Sequence, residues 1–352
     1  TSLSKQNQII DGKIMIVSLV ERLCDNCLKN KKIVLFDTNI WIDFADQKTE
    51  LARQCKSLCL SLSKNNLCAF PLSFASIQEV FEHPKEEQAI LQARLMDELS
   101  GGICFRLIRE IEEKEIELGF QTFFLKENKT HDHSYAFTFT FNYLGDLISS
   151  IIQKYGLPVS EKDIEHWRMK FNIEYFLQHL GEVRKFCEDS KQNYVDKMKE
   201  VRTKSIEDYT KNGRFNHHKY LSDGRVTVYD KDCKYRLVKM AQDRLTNRIK
   251  NEEIRDKSGI DEYIEKKIKP IMTLSHQDKE LFVKSLPSAE LLQELMTERV
   301  RNIGRKIQKQ DLCDNEMSRY IPYTHIFVSN DGNLIDVLSR CPIVRQRKIV
   351  LC

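Results

Sequence analysis

No apolar run in this sequence approaches the ~20 residues needed to span a bilayer, so a membrane is not among the expected partners. The opening residues, TSLSKQNQIIDGK, are polar and do not read as a secretory signal peptide. Cys24 and Cys27 form a CxxC, but no second CxxC and no Cys/His pair at finger spacing joins them. They are expected one turn apart on a helix as packing thiols, not as a zinc site. The eleven cysteines are odd in number and scattered, which excludes a disulfide framework and favours free thiols in a reducing, cytoplasmic setting. No GxGxxG follows the first apolar strand, which disfavours a dinucleotide-binding enzyme. Charge of one sign is lacking too: 56 basic side chains face 52 acidic ones, net +4, so only local patches can indicate a polyanionic partner. There is no internal repeat and no low-complexity linker.

What is present fits a folded chain: 41% hydrophobic and 31% charged over 352 residues, long for one core. Residues 8–29 carry apolar side chains at three- and four-residue spacing and predict a first helix. KIVLF at 32–36 predicts a buried strand. Helix is expected over 47–64, a short strand over 67–72 ending near Pro71, helix through SFASIQEVFEH capped by Ser73 or Ser76, and helix again over 86–98. Pro84 breaks or restarts the helix between them. Gly101-Gly102 is a stop, and ICFRL at 103–107 predicts a third strand. Strands alternating with helices imply βαβ units and a parallel sheet.

The rhythm changes between about 107 and 286, which reads as a mostly helical insertion, with long Lys- and Glu-rich helices over 160–210, an Asp223-Gly224 turn and a helical block at 235–257. It returns over 287–352 with two helices, a strand at 325–329, a helix and a final strand at 348–352. The expected division is 1–106 as one half of an α/β domain with a leading helix, 107–286 as the insertion, and 287–352 as the other half.

Carboxylates stand where this architecture collects ligands, at the carboxyl ends of parallel strands. Asp37 follows the first strand, and Asp331 follows HIFVSN. Glu79 lies on the helix after the second strand, near its start. Asp314 is expected to open the helix DNEMSRYIPY, whose N-terminus is at the same end of the sheet; Asp311 competes with it. A buried strand ending in an acid is costly without a partner, and clustered acids raise one another's pKa unless a cation compensates. All-oxygen ligation points to Mg²⁺ or Mn²⁺, and such a site suits phosphodiester hydrolysis. Thr38, Asn39, Ser329, Asn330 and Asp311 would orient ligands or waters.

The order of these features resembles the PIN-domain nucleases. The likeness rests on IVLFDTNIWIDF, on FASIQEVF and on DLCDNEMSRYIPYTHIFVSND, where Ser329 stands in place of the family's threonine and keeps its hydroxyl. It covers the two flanking halves only; nothing in 107–286 is recognised. It implies a PIN-like parallel sheet flanked by helices, catalytic metal-binding acids at Asp37, Glu79, Asp314 and Asp331, and cleavage of single-stranded or structured RNA.

Basic residues crowd the approach to the third acid: Arg299, Arg301, Arg305, Lys306 and Lys309, with Arg319 following. Arg305, Lys306, Lys309 and Arg319 are the expected phosphate-tracking contacts, with Arg340, Arg345, Arg347 and Lys348 as an extension. Tyr135, Phe137, Phe139, Phe141 and Tyr143 alternate with a strand's period and are expected on a buried face rather than stacking bases. His131-Asp132-His133 and His217-His218 lack an evident further metal ligand. The expectation is an Mg²⁺/Mn²⁺-dependent endoribonuclease, a toxin or defence effector in type, with RNA (tRNA among the targets) preferred over DNA. The insertion would select substrate, bind a protein partner or form a homodimer. The rivals are a DNA nuclease with the same site and a non-catalytic PIN-like RNA-binding scaffold.

Overall fold

A computed structural model describes residues 18–83, 85–125, 133–140, 160–179, 183–212, 246, 249, 256–273, 275, 282, 286–301 and 306–352. The first helix, α1, is described over 18–28. It places Cys24 fully inside and Cys27 half-buried, both as free thiols.

Strand β1 (Lys32–Phe36) has the burial pattern expected of a central parallel strand: every residue after Lys32 is buried. Helix α2 (Thr38–Asp46) follows at once. Its Ile40, Trp41 and Phe44 turn inward, and the Phe36 ring meets Trp41 at 5.1 Å and Phe44 at 5.5 Å. Helix α3 (Glu50–Lys64) is capped by Thr49, whose side chain accepts from the Ala52 amide. Strand β2 (Cys68–Ala69) is shorter than expected. Pro71 has no amide to donate, and pairing with β1 ends at Ala69; Leu72 then makes a single bridge to Cys104 on another segment. Helix α4 (Phe74–Glu82) is capped by Ser73, and α5 (Glu86–Ser100) ends on Gly101, whose φ of 58° is the left-handed stop that glycine makes easily.

Strand β3 (Ile103–Phe105) is followed by α6 (Ile108–Leu125) and by β4 (Phe137–Phe139), which pairs antiparallel with β3. Phe137 and Phe139 are buried, as the alternation suggested; Phe141 and Tyr143 lie outside the described residues. Beyond β4 come α7 (Glu161–Lys170), α8 (Ile173–His179), α9 (Val183–Asn212) and a helical stretch from Lys257 to Thr273 with a π turn at Ile264–Ile268. Ile108, Ile111, Phe137, Phe139, Ile164, Trp167 and Ile173 belong to the same hydrophobic cluster as β1 and α2. The first part of the expected insertion therefore packs into the common core, because β4 completes the outer edge of β3. The Asp223-Gly224 turn, His217-His218 and most of the 235–257 block lie outside the described residues.

The chain returns through α10 (Pro287–Arg301), α11 (Gln310–Ser318), β5 (Ile326–Val328), α12 (Gly332–Arg340), α13 (Pro342–Gln346) and β6 (Val350–Leu351). The main sheet is four-stranded and parallel, in the order β2-β1-β5-β6. From β1 the chain moves outward to β2 on one side. Much later it enters β5 on the other. The β1/β5 seam is thus the point where strand order reverses, and its carboxyl end is where an open α/β sheet makes a crevice.

Candidate functional site

Asp37 and Asp331 meet at that seam. The Asp37 amide continues the ladder to the Val328 carbonyl (2.9 Å). This puts Asp37 beside Ser329, which donates its hydroxyl proton to Asp37 Oδ2 at 2.5 Å and accepts from the Asp331 amide at 3.0 Å. One hydroxyl therefore ties the two acids' segments together across 292 residues of sequence. Each acid stands at a helix start. Asp37 precedes α2, and Asp331 caps α12, its Oδ1 accepting from Asn333 N (2.8 Å) and Leu334 N (3.1 Å). Both helix N-termini direct partial positive charge at the acids.

Asp314 enters from α11. The structure corrects its expected place: the helix begins at Gln310, so Asp314 lies in its second turn instead of opening it. The physical reason is Asp311, whose Oδ2 accepts from the Gln308 amide (2.9 Å) and closes the helix start one turn earlier. Nor does one helix run on to β5; α11 stops at Ser318, and a short 3₁₀ turn with Pro322 intervenes. Asp311, Asp314 and Asn315 share one helix face. There they meet Arg299 from α10: Arg299 Nη2 donates to Asp314 Oδ2 at 2.9 Å, and Nη1 donates to Asn315 Oδ1 at 2.5 Å and to the Asp311 carbonyl at 2.9 Å. The Asp311 carboxylate is 3.6 Å from Nη1.

Glu79 lies in the second turn of α4, half-buried, and receives a hydrogen bond from the Gln310 side chain, at the beginning of α11. A buried chain of hydroxyls fixes α4 against α2: Thr38 Oγ1 to Ser76 Oγ at 3.4 Å, and Ser76 Oγ to Ser73 Oγ at 2.8 Å. Asn330 donates to Asp43, an exposed acid on α2. Asn39 is exposed one turn before it.

Burial pushes the Asp37 carboxyl above the usual range. Asp331 adds to the rise, while the Ser329 hydroxyl and the Thr38 and Asn39 amides oppose it. Asp314 is pushed up to about 6, chiefly by burial; Arg299 works against this, and the charges of Asp37 and Asp311 reinforce it. The coupled set is therefore Asp331–Asp37–Asp314–Asp311, with Glu79 joined through Gln310. Among the described residues, no three His, Cys, Asp or Glu side chains stand close enough to form a group able to hold a metal ion. In donor type alone, all oxygen, these residues suit a hard divalent cation better than a soft one. Asp37 and Asp314 lie inside the protein, Asp314 paired with Arg299 at 2.9 Å and Asp37 bonded by a neutral hydroxyl. No family model, no curated protein and no solved structure matches this chain.

Of the basic residues expected to track phosphate, Lys306 and Lys309 are exposed beside α11. The side chains of Arg301 and Arg305 lie outside the described set, as do His131 and Asp132. Arg319 is a correction: it is 1% exposed and pairs with Glu112 from α6 and with Glu316 at 3.3 Å, so it cannot meet a ligand at the surface. Arg299 is likewise inside, 4% exposed. Arg340 is occupied by Asp336, and Arg347 donates to the Pro322 carbonyl. Sequence reasoning missed three features: Arg299 as the acids' own cation, Ser76 as a partner of Thr38, and Asp43 as a partner of Asn330. Only Asp43 had a local signal, four residues after Asn39 on the polar face of α2.

Proposed function

We propose that this protein is a PIN-like, Mg²⁺- or Mn²⁺-dependent nuclease that hydrolyses phosphodiester bonds in RNA. The observation that supports this best is the convergence of acids from distant parts of the chain at the strand-order reversal of a parallel sheet, Asp37 and Asp331 being bridged by the Ser329 hydroxyl. In this reading Asp37 and Asp331 hold the ion, and Asp314 and Glu79 complete the acidic rim. A bound ion supplies an activated water and neutralises charge building at phosphorus. The chain's own residues do the rest. Ser329 orients Asp37, the starts of α2 and α12 hold the acids' charge in place, and Lys306 and Lys309 draw a polyanion to a rim that would otherwise repel it. A toxin or defence role, with a structured RNA such as tRNA as target and the 107–286 region selecting it, belongs to the same proposal.

The test is incubation of purified protein with Mn²⁺ and matched RNA and DNA oligonucleotides. Cleavage of RNA that Asp37→Asn abolishes is the expected result; equal cutting by that variant, or none by the wild type, overturns it, and preference for DNA selects the rival substrate. A second reading, a non-catalytic RNA-binding scaffold, draws on the same acids: each already has a protein partner, and no three of the described ones close up into a metal-holding group. It predicts RNA binding that Asp37→Asn leaves intact and no cleavage.

A further inference from the structure

Two thiols at the end of α1 take no part in the chemistry proposed above. Cys24 and Cys27 lie one turn apart; Cys24 is fully buried and Cys27 half-buried. Burial pushes the Cys24 thiol well above its usual range, and Cys104 of β3, Cys27 and Asp25 add to the rise, with Arg106 opposing it. A cation is fixed over the half-buried member. Arg168 of α7 donates from Nη1 to Cys27 Sγ at 3.5 Å. Its side chain is 17% exposed and is held from other directions as well: Nε donates to the Gly101 carbonyl, and the guanidinium lies over the Phe139 ring, 5.1 Å from the centroid. Gly102 makes the room, since a Cβ there would stand 2.9 Å from Arg168 Cγ. Glu165 shares Nη1 at 3.2 Å, but its side chain is 47% exposed, so solvent screens its charge.

We infer that Cys24 and Cys27 form a modification site, a dithiol that a hydroperoxide oxidises to a disulfide, with Cys27 reacting first and Cys24 resolving it. Of the two, only Cys27 is within reach of a solute. Its sulfur attacks the terminal oxygen of the hydroperoxide. An S–O bond forms, the O–O bond breaks, and the departing oxygen takes the electron pair and the thiol's proton, leaving as water or an alcohol and Cys27 as a sulfenic acid. The Cys24 sulfur then attacks the Cys27 sulfur; the S–S bond forms, the S–O bond breaks, and water leaves with the Cys24 proton. Arg168 is a positioning residue: its N–H faces the sulfur on which negative charge gathers during the attack. The end of α1 permits closure. Cβ atoms three residues apart on a helix are about 5–6 Å from each other, wider than the roughly 3.5–4.5 Å of a disulfide. Cys27 is next to last in the helix, where the final turn tightens readily to the 3₁₀ pattern, and that pattern lines up side chains i and i+3. The inference is independent of the metal-dependent reading.

The experiment treats the full chain with hydrogen peroxide, alkylates the remaining thiols at successive times and maps them by mass spectrometry. Cys27 is expected to lose its free thiol about tenfold faster than the exposed Cys352 and to end joined to Cys24. In urea that lead should vanish, because Arg168 is then no longer held beside the sulfur. Cys24→Ser should stop at the sulfenic acid of Cys27, which dimedone traps. Arg168→Gln should slow Cys27 by about tenfold and leave Cys352 unchanged. Cys352 reacting as fast as Cys27 in the folded chain, a lead that survives in urea, Cys27 joined to a cysteine other than Cys24, or an unslowed Arg168→Gln overturns the inference. If Arg168→Gln does not fold, the order of Cys27 and Cys352 and the identity of the linked pair still decide.

Discussion

Among the described residues, two groups of carboxylates invite comparison, one between α6 and the segment before β5, the other at the mouth of the β1/β5 seam. Away from the sheet's mouth, α6 contributes Glu112 and Glu115. Arg319 is bonded to Glu112; Tyr323 and the Ser288 hydroxyl (2.8 Å) and amide (3.0 Å) are bonded to Glu115. Every partner is supplied by neighbouring helices and turns, and Tyr135 closes the set against Tyr323. At the mouth, Arg299 supplies one positive charge to the α11 half, and Asp37 and Asp331 are held by neutral groups. The first cluster reads as architecture, locking α6 to α10 and to the segment before β5. In both, a buried acid is held by neutral groups alone, Glu115 in the first and Asp37 in the second, but Glu115 is completely buried whereas Asp331 and Glu79 of the second are half-buried. The difference teaches that a buried acid is not by itself a sign of chemistry; what separates these groups is whether any of their acids stays within reach of solvent.

The largest effect that would sharpen this contrast is on activity. Asp37→Asn keeps the side chain's shape and its bond from Ser329, so it should abolish cleavage while leaving the melting temperature near that of the wild type. Loss of the fold instead would place Asp37 with the architectural acids. The converse change is Arg319→Leu, which strands Glu112 without its cation. A loss of about 3–5 kcal/mol is expected in denaturant unfolding, with Mn²⁺ stoichiometry unchanged in whatever fraction folds. A shift in metal affinity would break the separation between the clusters.

A pH profile gives the next effect. Burial pushes Glu115 up to about 7, with Glu112 adding to the rise and Tyr323 and Ser288 opposing it. A folded pKa above the unfolded value of 4.5 means that protonation favours the folded state. Stability from this group is therefore present at low pH and is lost as pH rises from about 4.5 through about 7, on the order of 3 kcal/mol. Glu112, Ser288, Tyr323 and Tyr135 face the group. Glu115→Gln should flatten the decline in melting temperature over that window; an unchanged slope refutes the assignment. The smallest effect is that of Ser329→Ala. It removes the bridge between Asp37 and Asp331 while keeping both acids, and should weaken Mn²⁺ binding by about tenfold, roughly the worth of one hydrogen bond to a charged group.

Much of the scaffold was legible because it is written locally. The apolar run at 32–36 is β1, the glycine pair ends α5, and the serine at 73 caps α4, since each depends on residues a few positions apart. Where a local rule failed, a distant partner was responsible. The expected strand over 67–72 shrank because its pairing with β1 ends at Ala69. Asp314 slid into the second turn of α11 because Asp311 had already closed the helix start. The aromatic alternation at 135–139 correctly signalled a buried face, but its pairing with β3 tied what looked like an insertion to the main core.

The sequence alone determined that Asp37 and Asp331 stand between a strand and a helix, because hydrophobic periodicity and capping act over a turn or a few residues. It could not say which basic residues face water. Arg299 and Lys306 look alike in a string of cations, and only the packing of α10 against α11 decided that the first is buried among carboxylates while the second is exposed. Counter-charge is a property of distance in space. Whether an acid is answered or left waiting is settled when remote helices meet.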